Sequence, residues 1–158
     1  MFENIIGQEN TIATLRQELA SGTLPQAVLL HGPHYSGKLS TALEIARVLT
    51  CDRSGEWSCS CPSCIRQRVL THPGTVMAGS RYFEREIAAS ADVLLRIRKP
   101  PGQYLFIRAV RKLTRRFDPL LWEGEDSRVR PLGPVLAQVE EALDSLSPDR
   151  GDGAVQEE

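Results

Sequence analysis

The sequence predicts an α/β fold: a phosphate-loop module on a parallel sheet in the N-terminal part, mostly helical after residue 80. Three observations predict it. An apolar run, Ala27 to Leu30, is bounded by turn residues, as a buried parallel strand is. A glycine-containing loop ending in Gly37-Lys38 follows at once. KLSTALEIARVLT then continues as a helix, with Leu39, Ala42, Leu43, Ala46 and Leu49 on one side. Strand, loop and helix in that order make half of a βαβ unit.

The other elements follow from periodicity and breakers. Residues 9–20, ENTIATLRQELA, space Ile12, Leu15 and Leu19 three and four apart, the period of an amphipathic helix, and Gly22 ends it. A short helix is expected around Ile65–Leu70, a turn at His72-Pro73-Gly74, and a second strand at TVMA, residues 75–78. Residues 83–97 are helical by pattern through Ile87, Val93, Leu94 and Ile97, and PPG at 100–102 breaks the chain. Residues 104–117 form an amphipathic helix, with Phe106, Val110, Leu113 and Phe117 as its apolar stripe and Arg108, Arg111, Lys112 and Arg115 on the other face. A loop, DPLLWEGEDSRVRPLG, leads to a last helix, PVLAQVEEALDSL. The ending, SPDRGDGAVQEE, has the polar, acidic composition of a disordered segment.

The chain has 158 residues, enough for one domain with an attached tail. Hydrophobic content of 41% and charge of 25% are ordinary for a soluble globular protein. The apolar runs, such as AVLL at 27–30 and YLFI at 104–107, are far too short to cross a bilayer, so no membrane partner is expected. MFENIIGQEN lacks the basic lead and apolar stretch of a secretory signal, which makes a cytoplasmic protein the expectation. Net charge is −1 but unevenly spread. From Arg81 to Arg116 there are ten Lys and Arg against three acids; from Asp118 to Glu158 there are eleven acids against three arginines. Such asymmetry suits nucleic acid, an acidic partner, or one part of the chain neutralising another.

The loop Gly32-Pro33-His34-Tyr35-Ser36-Gly37-Lys38 satisfies the phosphate-loop pattern. Small residues let successive backbone N–H groups curve round an anion, and the following helix N-terminus adds positive potential. The lysine reaches the terminal phosphates, and the next residue should offer a hydroxyl to Mg²⁺. Here that residue is Leu39, which cannot ligate a hard cation. Ser40 points elsewhere, about 100° further round the helix. His34 and Tyr35 put bulk where phosphate would approach. ATP binding is therefore expected to be weak, Mg-independent or absent, without hydrolysis. The plainer reading is a turn that uses its glycines for geometry alone.

All four cysteines fall within fourteen residues, spaced Cys51-x7-Cys59-x-Cys61-x2-Cys64. Without an export signal, such clustering favours metal ligation over disulfides. Four thiolates enclose one Zn²⁺ tetrahedrally and leave no open position for water, so the expected zinc is structural. Cys59-Ser60-Cys61 is a tight pair, and His72 is the substitute ligand if Cys59 points away; the alternative is a set of free thiols.

FENIIGQENTIATLRQELASGTLPQAVLLHGPHYSGK, then a helix ending in LTC, the cysteine cluster and HP, together resemble the clamp-loader subunits of bacterial DNA polymerase III. The similarity is to the gamma/tau and delta-prime types, which are AAA+ proteins, and covers about residues 2–75. It implies that Ile5, Ile6 and Gly7 lie beside the adenine, that Gly32 to Lys38 form the Walker A loop, and that the four cysteines hold zinc. Departures are Leu39, Gly74 where the family has an acid, and cysteine gaps one residue shorter than usual in the first two places. No apolar strand ending in acids supplies a Walker B motif, and the sensor, arginine-finger and lid elements are absent. A central parallel strand without its neighbours would leave backbone groups unpaired. The expected fold is accordingly an incomplete AAA+ portion, residues 1–80 with a zinc module at 51–64. A helical region at 81–146 and an acidic tail at 147–158 follow, the chain being a fragment or truncated version of a longer subunit.

The function expected is a subunit of this clamp loader in DNA replication, with a degenerate loop and no catalytic residue of its own. Its partners would be other AAA+ loader subunits and, through the assembly, the sliding clamp and DNA. The alternatives are an active P-loop ATPase of the same family, and a zinc-stabilised nucleic-acid-binding module that uses the basic helix.

Overall fold

The computed structural model describes residues 1–79 and 83–148. The chain forms two compact units, Met1–Gly74 and Thr75–Glu158. Among the described residues there are seven α-helices: α1 (Glu9–Ser21), α2 (Lys38–Leu49), α3 (Pro62–Arg68), α4 (Glu84–Ile97), α5 (Pro100–Thr114), α6 (Asp126–Val129) and α7 (Gly133–Leu146). Most of the expected tail, 147–158, lies outside the described residues, as do Ser80, Arg81 and Tyr82.

No strand occurs among the described residues, which overturns the expected α/β class and its parallel sheet. The apolar run Ala27–Leu30 carries no ladder, and Leu29 is 90% exposed. TVMA at 75–78 is likewise irregular. Alternation and apolar character favour a strand only when a neighbour accepts its backbone hydrogen bonds. The run has the side chains of a buried strand and no such neighbour among the described residues.

In the first unit, α1 buries Ile12 and Leu15 and stops where Gly22 adopts the left-handed conformation, its N–H and that of Thr23 closing on Leu19 and Glu18 carbonyls. Ile12 and Leu15 pack with Phe2 and with Ile45 of α2, and Met1, Ile5, Leu19 and Leu24 surround them. Phe2 is fully buried at a positive φ of 66°, a costly backbone for an aromatic residue. Its N–H bond to Glu44 Oε1, 3.1 Å, helps hold it there, and Arg16 Nε donates to the Met1 carbonyl at 2.9 Å.

The buried face of α2 meets the expected apolar side only at Leu43, with Leu39 and Ala46 half-buried. Thr41, Leu43, Glu44, Ile45 and Arg47 are buried, while Ala42 and Leu49 face solvent. Two charged residues replace apolar ones because each finds the other: Arg47 Nη2 lies 2.7 Å from Glu44 Oε1 and Nε 2.9 Å from Oε2. A buried charge survives only when paired and hydrogen-bonded.

The second unit is built on an antiparallel pair, α4 and α5. Gly102 approaches the backbone of Leu94, where a Cβ would meet Leu94 Cα at 3.4 Å, and at the other end Lys112 pairs with Glu86. PPG does not merely break the chain. Arg98 ends α4 in the left-handed region, and Pro100 and Pro101 open α5, where their missing N–H groups cost nothing. The deepest positions of α5 are Ile107, Ala109 and Arg111; the expected stripe, Phe106, Val110, Leu113 and Phe117, is half-buried. Arg111 is 1% exposed and bridges Glu140 at 2.9 Å and Asp144 at 2.5 Å, one turn apart on α7. Thr114 Oγ1 adds a bond to Glu140 Oε1 at 2.9 Å. The segment expected as a loop after Asp118 contains α6 and short 3₁₀ turns, with Phe117 and Trp122 stacked at 6.5 Å.

Ile107 is the position on which this second unit's packing is tested. Ile107→Ala should cost ~2–5 kcal/mol, read from the denaturation midpoint together with hydrogen exchange in α5. Leu105→Ala, on the exposed side of the same helix, should stay within ~0.5 kcal/mol; equal losses would contradict the burial assigned to α5.

Candidate metal centre and phosphate loop

The four cysteines reach one point from three local structures. Cys51 follows the C-terminus of α2, Cys59 lies after a turn closed by its N–H to the Glu56 carbonyl at 3.1 Å, and Cys61 caps α3. Pro62 starts α3 with a fixed φ, and its first turn then carries Cys64 back toward Cys61, whose sulfur accepts the Cys64 N–H at 3.4 Å. All four sulfurs lie within 4.8 Å of one another. Cys51 Sγ is 3.7 Å from Cys59 and 4.0 Å from Cys61. Metal–sulfur bonds of ~2.3 Å at a tetrahedral centre give sulfur separations of ~3.8 Å, so the residues fit a single tetrahedral ion. Cys59 belongs to the cluster, and His72 instead accepts the Gly74 N–H at its Nδ1, 3.1 Å.

The sulfurs already sit among N–H donors. Cys51 accepts from the Arg53 and Gly55 N–H groups at 3.4 and 3.3 Å. Cys64, fully buried, accepts from Arg47 Nη1 at 3.1 Å. Burial pushes the Cys64 thiol well above its ordinary range, with Arg47 opposing. Burial acts in the same sense on Cys61, but N–H bonds from Cys64 and Asp52 outweigh it and bring that thiol below the ordinary value. A metal would replace the protons of both, since thiolates are the ligands.

Sequence reasoning missed Arg47 and Glu44. Both are 2% exposed, and Arg47 links the cysteine loop to α2 through the Gly55 and Glu56 carbonyls at 2.7 and 3.0 Å. The Glu44 carboxylate, bonded to the guanidinium, raises the Arg47 pKa further above its ordinary range despite burial, so its charge is permanent. Trp57 lies with its ring 5.6 Å from the guanidinium carbons of both Arg47 and Arg68. Arg68 also holds the Trp57 and Cys59 carbonyls. The available signal was an acid and a base three residues apart on the helix that runs straight into the first cysteine.

The phosphate loop has closed on its own lysine. Lys38 Nζ donates to the Gly32 carbonyl at 2.9 Å, to the Pro33 carbonyl at 2.5 Å and to Ser36 Oγ at 3.3 Å. Gly37 enters α2 at φ 80°, a conformation an L side chain resists, and no side chain caps the helix. Tyr35 also takes a positive φ, 62°, and is 96% exposed beside exposed His34. Thus Gly32, Pro33, Ser36 and Lys38 are brought together. Of the residues implied to border adenine, Ile5 packs in the apolar core while Ile6 is 97% exposed; Gly7 sits at φ 75° before α1.

The cysteine geometry makes metal content measurable. Cobalt(II) titration of the reduced protein should saturate at one ion per chain with the absorption of a tetrahedral thiolate site. Cys64→Ser should lose that absorption, and chelation should lower the thermal stability of the first unit, because metal binding here is folding free energy. No saturable uptake would contradict the assignment.

Residues 7–124 match the family model described as DNA polymerase III, delta subunit. No curated protein and no solved structure matches the chain. The matched span holds the phosphate loop, all four cysteines, and α1 to α5. It covers most of the 158 residues, so the chain belongs to the DNA polymerase III delta-subunit family, clamp-loader subunits of DNA replication.

Proposed function

We propose that this chain acts as a structural, non-hydrolysing subunit of the DNA polymerase III clamp loader, associated with its other subunits and, through them, with the sliding clamp and DNA. The cytoplasm, where replication proceeds, is its proposed site. Zinc is the proposed ion: four soft thiolates gathered within 4.8 Å of one another suit it, and a closed coordination shell gives it a bracing rather than a catalytic role.

The observation that carries the reading is the state of the phosphate loop. Lys38, the residue that would meet the terminal phosphates, is bound to the carbonyls of its own loop. Leu39 follows it without a hydroxyl for Mg²⁺, and the apolar run before the loop has no sheet among the described residues to seat it. Phosphate would have to displace three lysine contacts and would gain no metal anchor. The site residues assigned to nucleotide, Ile6, Gly7 and Gly32 to Lys38, are therefore proposed as an inherited loop with weak or absent affinity. An active ATPase is disfavoured by the same residues. A phosphate-tracking basic helix is disfavoured because Arg111 and Lys112 are committed to Glu140, Asp144 and Glu86.

Calorimetry with ATP, with Mg²⁺ and with EDTA, tests this on wild-type protein and Lys38→Ala. The expected result is no saturable binding up to millimolar nucleotide in either, with retention by the other loader subunits unchanged by the substitution. Mg-dependent binding that Lys38→Ala abolishes would overturn the reading of a loop with weak or absent affinity, and phosphate release under the same conditions would overturn the non-hydrolysing one. Failure of the wild-type chain to associate with any loader subunit would overturn the structural role.

A further inference from the structure

We infer that Arg47 is a positioning residue of the metal centre, holding Cys64 Sγ in its ligand place and drawing charge from that sulfur, with Glu44 fixing the guanidinium. The inference rests on the reading of the four cysteines as a metal site and extends it to a cation outside the ligand set.

A guanidinium has five N–H groups in a rigid fork. In Arg47 five acceptors meet them. Nε and Nη2 take the two Glu44 oxygens at 2.9 and 2.7 Å, and Nη2 also takes the Gly55 carbonyl at 2.7 Å. Nη1 takes the Glu56 carbonyl at 3.0 Å and Cys64 Sγ at 3.1 Å. Glu44 in turn accepts the Phe2 N–H, so the carboxylate is itself held from the far side. The guanidinium has no freedom to turn away from the sulfur without breaking bonds to both α2 and the cysteine loop.

Direction matters as well as rigidity. Four thiolates around a divalent ion leave two negative charges in a buried site, where uncompensated charge is expensive. The backbone N–H groups of Arg53, Gly55 and Cys64 lie on these sulfurs at 3.3 to 3.4 Å. Arg47 is shorter and carries a full charge, which makes its bond to a thiolate the stronger kind. A donor on sulfur lowers its electron density, so Cys64 becomes a weaker nucleophile and its lone pairs lie lower in energy. A purely structural Arg47, packing the loop against α2, would produce no such electronic effect.

The test compares wild type with Arg47→Lys and with the pair Glu44→Gln/Arg47→Met. The lysine keeps a charge but loses the fork. The pair removes both charges while leaving an oxygen for the Phe2 N–H, so it stays informative where a lone Arg47 substitution fails to fold. Each is loaded with cobalt(II), its affinity measured against a competing chelator, and helix content checked by circular dichroism. The expectation is one bound ion throughout, a loss of affinity of about 10–100-fold in both variants, a thiolate-to-cobalt charge-transfer band moved to lower energy, and faster metal release by a thiol-alkylating reagent. Wild-type affinity and an unmoved band in the folded variants would overturn the role of Arg47 while leaving the metal site standing. No tetrahedral cobalt spectrum in the wild type would overturn the metal reading itself, and this inference with it.

Discussion

The first unit depends on one buried ion pair. Glu44 and Arg47 lie on α2, both 2% exposed, between an apolar cluster around Phe2, Ile12, Leu15 and Ile45 and a sulfur cluster at Cys51, Cys59, Cys61 and Cys64. Glu44 reaches the N-terminal segment through the Phe2 amide, and Arg47 reaches the cysteine loop through two carbonyls and a thiol. Neither cluster is large. A small unit with few apolar residues needs other cross-links, and a cysteine cluster with the geometry to hold a metal ion, tied to the helix by a guanidinium, can supply one. The same pair sets a vulnerability: removing one partner would leave an uncompensated buried charge, a loss of ~3–5 kcal/mol, whereas removing both would cost far less.

The second unit uses a related device. Arg111 is buried on α5 and bridges two acids on α7, while Lys112 pairs with Glu86 on α4. The positive surplus between Arg81 and Arg116 and the negative surplus after Asp118 thus meet at Arg111. Glu140 and Asp144 remain partly exposed, which lets water share the cost of burying the arginine. The pocket beside them, about 540 Å³ and lined by Phe117, Pro119, Trp122 and Leu136 among others, is open to solvent. The indole N–H of Trp122 is already spent on the Arg116 carbonyl at 2.8 Å, so the groove presents an apolar floor.

Local signals in the sequence were legible where short-range sterics decide. Gly22 ending α1 and Lys38 opening α2 are choices a few residues make among themselves. The sulfur cluster was legible for the same reason, since four cysteines within fourteen residues meet with little loop to close. What could not be read depended on partners distant in the chain. Ala27–Leu30 has the composition of a parallel strand, but a sheet is a property of several segments. The leucine side of α2 looked like its core face because charges are assigned outward by default. Glu44 and Arg47 join the buried face beside Leu43 and Ile45 only because Phe2, Gly55, Glu56 and Cys64 arrive to satisfy them. PPG similarly reads as a stop, although proline is as much at home in the first turn of a helix as after its end.

The two ends of α2 differ in how far the surrounding residues organise them. At the C-terminal end, every polar group named at the metal centre has a partner within the unit, and the geometry is closed. At the N-terminal end, Gly37 still delivers an uncapped helix start of the kind that attracts anions. Yet the lysine that should extend that field turns back on the Gly32 and Pro33 carbonyls. A phosphate cradle works because a rigid sheet on one side and a helix on the other hold backbone N–H groups still before the ligand comes. Here only the helix is present among the described residues. The loop's own carbonyls and the Ser36 hydroxyl take the lysine instead. The metal end of α2 is the one whose organisation the surrounding residues enforce, and it is there that the physical case for function is strongest.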